Sequence, residues 1–267
     1  MMIRIVIPAI TLVLAAGVAS CSGRKADEDK FRKGWTLTWE DNFEGEAGLT
    51  AWSKVPRGTK SLNRYMSDNG ALCVLEDGFL VLRGVENVGD HATVPFLTGG
   101  VTRPGMERNR VCRIEVRACV TPATGAVPLI ALLPRTEAEG NVSVRMMERH
   151  GSDDFVYQSV TSEYTTTGGL PDNPPSMALV GVNPDQYHVY GVETYPDSLV
   201  FFVDGNRTKK YPRVLTDIPG QYPFADMDFD LFLGVRLDRD TDPAALPANL
   251  FVDWVRYYEP ALPAPEM

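Results

Sequence analysis

The sequence predicts an all-β protein, a two-sheet antiparallel jelly-roll sandwich. Three observations carry this. About a dozen short runs alternate apolar and polar residues with the period of two that a half-buried strand requires. Turn signals separate the runs at short spacing, in a chain with 23 Gly and 20 Pro. No stretch combines a 3.6-residue apolar period with helix caps. Ten or more strands over ~225 residues suit one large domain better than two small ones, and no internal repeat divides the chain.

Taken in order, the chain opens on a segment of a different kind. Arg4 is a basic start, Ile5 to Val18 is an apolar run too short to span a bilayer comfortably, and Val18-Ala19-Ser20-Cys21 ends it. Small residues before Cys21, with Ser22-Gly23 after it, resemble a bacterial lipoprotein box. That resemblance implies a signal peptide over 1–20 and lipidation of Cys21 as the mature N-terminus. It places the protein in the bacterial cell envelope, periplasmic or at the cell surface, with the membrane as a partner through acyl chains that anchor stably. The other reading is an ordinary cleaved signal with an incidental cysteine. Residues 21–33 are polar and charged and read as a tether.

The alternating runs begin at Trp35. Trp35–Trp39 is the first. Leu72–Leu75 and Phe79–Arg83 flank Glu76-Asp77-Gly78, which reads as a hairpin turn. Val111–Val120 alternates for its whole length. Tyr187–Tyr195 and Ser198–Val203 are joined across Pro196-Asp197, and Asp204-Gly205 is a further turn. Phe229–Leu237 and Leu250–Tyr258 close the series. The domain is expected over 34–259, followed by a Pro-rich tail over 260–267 with no core-forming pattern.

The net charge is −9, and loss of residues 1–20 removes only Arg4, leaving −10. Such a chain is a poor electrostatic match for nucleic acid or an anionic polysaccharide, and favours neutral partners such as neutral glycans. Besides Cys21 there are Cys73, Cys112 and Cys119, an odd number that cannot all pair. Cys112 and Cys119 have opposite parity in one run and point to opposite sides of a strand, so no bridge is expected between them. No pair has metal-ligand spacing and the chain has three His, so no zinc site is expected.

Several segments together resemble glycoside hydrolase family 16, the laminarinase-like enzymes with a concanavalin A-like jelly roll. Leu37-Thr-Trp-Glu-Asp-Asn-Phe-Glu-Gly45 resembles the family's opening segment. Arg113-Ile-Glu-Val-Arg-Ala118 resembles an inner strand. Tyr187-His-Val-Tyr-Gly-Val-Glu193 with Phe201-Phe-Val-Asp-Gly205 resembles a late hairpin, and Val252-Asp-Trp-Val-Arg-Tyr-Tyr258 the closing strand. The segments stand in the family's order over 35–258, and 153–224 is most similar to members from gut-type bacteria that degrade surface glycans. The resemblance implies the fold; fold alone does not give function.

The family's machinery is a Glu-x-Asp-x-x-Glu strand. One carboxylate attacks the anomeric carbon and the other protonates the leaving oxygen, the two standing ~5–5.5 Å apart. A bulge inside the motif explains the extra residue before the last Glu. Aligned on this chain, Gly140 precedes the strand, Ser143 falls at the nucleophile and Arg145 at the helper Asp. Met146-Met147 spans the bulge, and Glu148 lands on the acid/base Glu. No Asp or Glu occurs between Gly140 and Met147 in any register. A Ser hydroxyl is a weak nucleophile without a base, and the motif places none. An Arg145 pair favours the carboxylate form of Glu148, whereas an acid catalyst must carry a proton. The other reading of Glu148 is a groove or surface carboxylate paired with Arg145 or Arg149. The groove changes in parallel. Val127 and Ala131 replace the two tryptophans that the resembled enzymes stack on sugar rings, Thr161 replaces a His, and the loop before the last strand shortens to Arg236–Asp240.

Other side chains deserve weighing. Asp153-Asp154 is a candidate relocated carboxylate pair, although adjacent strand residues face opposite ways. Glu137 and Glu139 read as solvated, and Glu115 and Arg117 share parity and read as a structural ion pair. Tyr157, Tyr164, Tyr222 and Phe224 either rim a remodelled glycan site or pack in the core. The sequons at Asn141 and Asn206 read as chance. No cofactor is expected; the resembled family admits structural calcium, but no ligand cluster here identifies a site.

The sequence therefore reads as a lipid-anchored family 16-like protein of carbohydrate metabolism. It binds a neutral β-linked glycan, or a partner in a glycan-utilisation complex, with hydrolysis lost. Ser143, Arg145, Tyr157 and Tyr164 are the expected ligand contacts. One alternative is an active endo-hydrolase of β-linked glycans that uses Glu148 and a second carboxylate from a loop. Another is a structural surface lipoprotein with no sugar ligand.

Overall fold

The computed structural model describes residues 31–45, 49–88, 93–136, 141–214 and 218–261. Cys21, the segments 1–20 and 262–267, and Glu137, Glu139 and Gly140 lie outside them. Sixteen strands occur among the described residues. In chain order they are β1 (Trp35–Asp41), β2 (Ser53–Lys54), β3 (Cys73–Glu76), β4 (Phe79–Glu86), β5 (Phe96–Thr98), β6 (Gly100–Met106), β7 (Cys112–Val120) and β8 (Ala126–Pro134). Then come β9 (Ser143–Glu148), β10 (Val156–Thr161), β11 (Met177–Val180), β12 (His188–Tyr195), β13 (Ser198–Val203), β14 (Asn206–Pro212), β15 (Phe229–Leu237) and β16 (Ala248–Pro260).

Turn chemistry fixes two of the hairpins. Asp77 and Gly78 take φ of 53° and 79° between β3 and β4, and Asp204 and Gly205 take 50° and 76° between β13 and β14. Two consecutive left-handed residues give the turn whose twist matches antiparallel strands, and Asp-Gly supplies it at low cost. Both turns are expected from the sequence. A single helical turn, Glu163–Thr166, capped by the Ser162 hydroxyl, is too short to show a 3.6-residue period.

The first sheet runs β14-β13-β12-β7-β16-β4-β3, with β1 also pairing β16 and β5 pairing β4. The second runs β11-β10-β9-β8-β15-β6-β2. The pairings between these strands are all antiparallel. Alternate residues of each strand face the other sheet. Ile114, Val116, Ala118, Val192 and Val252 from the first meet Ile130, Leu132, Val144, Met146, Leu231 and Leu233 from the second, all fully buried. Burying each large side chain contributes about 1.5–3 kcal/mol, so this layer between the sheets is the main source of stability. The result is the all-β, two-sheet antiparallel sandwich that the patterning predicts.

A second, smaller apolar cluster lies on the opposite face of the second sheet. Met66 packs with Leu129 and Ala131 of β8 and Phe232 of β15, and Val55, Leu62 and Leu133 pack against them. The segment 55–66 thus covers part of the outer face of the second sheet. Strand β8 is consequently apolar on both sides, reading Ala-Val-Pro-Leu-Ile-Ala-Leu-Leu-Pro.

Cys73, Cys112 and Cys119 are free thiols; Cys112 points into the core and Cys119 to the other side of β7, half-buried. The Glu115–Arg117 pair expected from the sequence is not formed. Glu115 is bound by Arg113 at 2.6 Å, and Arg113 also reaches Glu193 at 2.7 Å. Arg117 instead pairs with Asp253 and lies over the Tyr187 ring at 4.6 Å, partners that only the strand order brings beside it.

Candidate functional site

Strand β9 carries the site, and a bulge shapes it. Arg145 stands opposite Ala131 of β8, yet the next β8 residue back, Ile130, faces Met147, leaving Met146 as the extra residue. On the other side, Tyr157 faces Glu148 and Ser159 faces Arg145, so two residues of β9 span one of β10. The intervening Gln158 is fully buried and its Nε2 donates to the Met146 carbonyl at 3.0 Å. A buried carbonyl that the ladder leaves unpaired is thereby satisfied. The bulge is where the spacing of the motif places it. It turns Glu148 onto the same outer face as Ser143 and Arg145, while Val144, Met146 and Met147 enter the core.

Glu148 is 5% exposed. Arg145 Nη1 donates to its Oε2 at 2.6 Å, and His150 Nε2 lies 3.2 Å from its Oε1. Both carboxylate oxygens are therefore engaged by nitrogen donors when His150 is protonated on Nε2. Arg149, the other partner considered, points elsewhere. It is buried, pairs with Asp185 at 2.6 Å and donates to the Asp153 carbonyl at 2.8 Å. Arg149 thereby braces the turn after β9, in which Asp153 N donates to the His150 carbonyl.

That turn brings a second carboxylate to this end of the face. Tyr157 OH donates to Asp153 Oδ2 at 3.2 Å, and its ring meets His150 edge-on at 4.9 Å. Desolvation first, then the Asp153 hydrogen bond and the charges of Asp153 and Glu148, push the Tyr157 phenol above its ordinary value. Asp154 is exposed, next to Asp153.

Ser143 is 6% exposed and its Oγ is buried with no hydrogen-bond partner. It stands opposite Thr161 of β10. Val127, Leu129 and Ala131 line the adjoining β8 face and are buried, so aliphatic groups occupy the places expected for aromatic platforms. The structure brings Ser143, Arg145, Glu148 and Tyr157 together on one face. It does not bring Tyr164 there. Tyr164 is 4% exposed, and its hydroxyl lies 3.0 and 3.2 Å from the Pro171 and Asn173 carbonyls, so it orders that loop instead of meeting a ligand. Tyr222 and Phe224 are core residues, with the Tyr222 hydroxyl on the Tyr195 carbonyl at 2.8 Å. Sequence reasoning missed His150 as a partner of Glu148. It also missed Val55, Leu62 and Met66 as a cover over the face, since nothing local to either stretch announces a distant neighbour. Among the described residues, no group of three or more His, Cys, Asp or Glu is placed to hold a metal ion.

No protein-family model matches the chain. Over 236 residues it is 28% identical to a keratan-sulfate endo-1,4-β-galactosidase of Sphingobacterium multivorum, an alignment covering 84% of this chain and 55% of that protein. The chain thus spans about half the length of that relative. The laminarinase of Rhodothermus marinus superposes with a TM-score of 0.70 at 22% identity, over 85% of this chain and 98% of that one. The chain has the laminarinase jelly-roll fold. A structure solved in work on endo-acting O-glycanases, with which prominent members of the human gut microbiota initiate mucin breakdown, superposes with a TM-score of 0.72. It is 23% identical, over 85% of this chain and all of the other.

Proposed function

We propose that the chain is a carbohydrate-binding protein on a glycoside hydrolase family 16-like scaffold, with the ancestral hydrolysis lost. One observation carries this reading. On the face where a retaining glycosidase needs two carboxyls ~5–5.5 Å apart, β9 presents Ser143, Arg145 and Glu148, a single carboxylate held by Arg145 and His150. The ligand is a β-linked glycan, the class acted on by the galactosidase and laminarinase relatives. Ser143, Arg145 and Tyr157 contact it, and Glu148 accepts hydrogen bonds from sugar hydroxyls in place of donating a proton. We further propose that residues 1–20 are a signal peptide, that Cys21 is lipidated, and that 21–33 tether a 34–259 domain in the cell envelope. Metabolic labelling with a palmitate analogue, lost in Cys21→Ala, checks the anchor.

A second reading rests on Asp153. Its hydrogen bond to Tyr157 places a carboxylate beside the Glu148 end of the face, and an active endo-hydrolase would use that pair. Panels of β-glucans and β-galactans discriminate the two. The first reading expects retention on immobilised glycan with no release of reducing ends. Turnover by the native chain that disappears in both Glu148→Gln and Asp153→Asn would overturn it in favour of the second.

A further inference from the structure

Residues 47–67 contain Lys54, Arg57, Lys60 and Arg64 and no Asp or Glu, in a chain of net charge −9. The fold lays this run over the face just described, because Val55, Leu62 and Met66 pack on Leu129, Ala131 and Phe232. Arg57 Nε donates to the Met66 carbonyl at 3.3 Å and Lys54 Nζ to the Asp68 carbonyl at 3.0 Å. Backbone carbonyls orient these cations without neutralising them. Among the described residues, Lys54, Arg57 and Arg64 form no ion pair with a carboxylate. Lys54, Arg57 and Lys60 are exposed.

The positive surface continues across the sheet. Arg236 of β15 has the parity of Phe232, so it emerges on the same face, with its Nη1 at 3.5 Å from Ser61 Oγ in the basic run. Its neighbour Asp238 is 3.7 Å away. Arg145 follows on β9, its side chain 37% exposed while that of its partner Glu148 is 6% exposed, so solvent meets the guanidinium and not the carboxylate. The net charge of the chain argues against an anionic partner only as an average. Charges beyond a Debye length of about 8–10 Å are screened, so a ligand on this face meets the local cations.

A separate observation points to a ligand there. Ser143 Oγ is buried and unpartnered, two residues along β9 from Arg145. A buried hydroxyl without a partner calls for an explanation, and this one lies on the face that carries the exposed Arg145 guanidinium, where a ligand hydroxyl would satisfy it.

We propose that this face recognises a β-linked glycan bearing anionic substituents, sulfate or carboxylate. The basic run 54–64 and Arg236 take the anionic groups, and the Ser143–Arg145–Glu148 end takes sugar hydroxyls. Guanidinium groups suit both anions through paired N–H donors. The proposal rests on the glycan-binding reading and narrows it to a charge class, opposite to the neutral ligand that the net charge favours.

The experiment is calorimetric titration of the full chain with keratan sulfate, chemically desulfated keratan, hyaluronan and laminarin, at low and high salt. The expected result is that keratan sulfate or hyaluronan binds at least about tenfold tighter than the desulfated and neutral glycans at low salt. This advantage shrinks as the Debye length falls to about 3 Å at 1 M salt. It collapses in K54E/R57E, in which both side chains are exposed and whose cooperative melting shows that the fold is kept. Preference for keratan sulfate identifies sulfate, and preference for hyaluronan identifies carboxylate. Equal binding of charged and uncharged glycans overturns the charge class and leaves the glycan reading standing. Binding of none of the four overturns both.

Discussion

Glu148 illustrates how a single buried carboxylate is stabilised, and how far its role was legible. Its 2.6 Å bond from Arg145 spans three residues of one strand, which an unbroken strand would not allow, since same-face residues recur at even spacing. The bulge at Met146 turns an i,i+3 pair into neighbours. Arg145 and Glu148 were readable as partners because the motif spacing carries its own bulge. His150 was not, because its approach depends on the turn that Arg149 and Asp153 close. Removing Arg145 leaves Glu148 buried with one partner fewer. Arg145→Met is therefore expected to destabilise the chain by about 1–3 kcal/mol, the cost of an undersatisfied buried polar group. The double variant Arg145→Met/Glu148→Leu, which removes both charges, is expected to recover most of that loss. Urea unfolding of the native chain, the single variant and the double variant checks this. A double variant no more stable than the single would show that the pair carries little of Glu148's burial cost.

Among the elements, β7, β12, β13, β15 and β16 were visible in the sequence, and β8 was not. β7, β12 and β16 alternate because their outer residues meet water or a polar layer, as Arg113, Glu115 and Glu193 do. β8 shows no period of two, because the core takes one side and Met66 with its neighbours takes the other. The sequence of 55–66 gives no strand signal that would have suggested a cover. The glycines under it record the close approach. A Cβ on Gly100 would lie 2.8 Å from Met66 Sδ and 3.2 Å from a Phe232 ring carbon. Gly100→Ala should therefore cost about 1–3 kcal/mol, as overpacking does. Met66→Ala alone should cost about 2–5 kcal/mol by leaving a cavity. Combined, the two changes conflict less, because the alanine methyl occupies part of the space the methionine vacates. The sum of the single effects should exceed the double-variant effect by at least about 0.5 kcal/mol, the scale expected of residues in contact. Strict additivity in thermal unfolding would mean that the cover does not press on β6.

At the scale of the molecule, the decisive fact is where the last strand lies. β16 sits inside the first sheet between β7 and β4 and also carries β1. Until it arrives, β7 and β4 have no common neighbour and β1 has no partner in the sheet. Its residues Leu250, Val252 and Val255 are fully buried in the main core, so the layer between the sheets stays open on one side without them. The N-terminal half therefore cannot complete the sheet during synthesis, and closure joins strands more than a hundred residues apart. Non-local pairing of this kind folds slowly, on the order of milliseconds to seconds, because loop closure precedes the contacts that reward it. The two ends of the chain should then differ sharply in tolerance. A chain starting at Gly34, the first residue of the compact unit that holds both sheets, is expected to keep the native melting temperature within error. A chain ending at Pro247 loses all of β16 and is expected to show no cooperative thermal transition and rapid proteolysis. Adding the peptide 248–260 in trans should restore protection in proportion to its concentration, since binding only the folded form stabilises by mass action. A chain ending at Pro247 that melts cooperatively near the native temperature would show that β16 seals a sheet already formed and is not its organising centre.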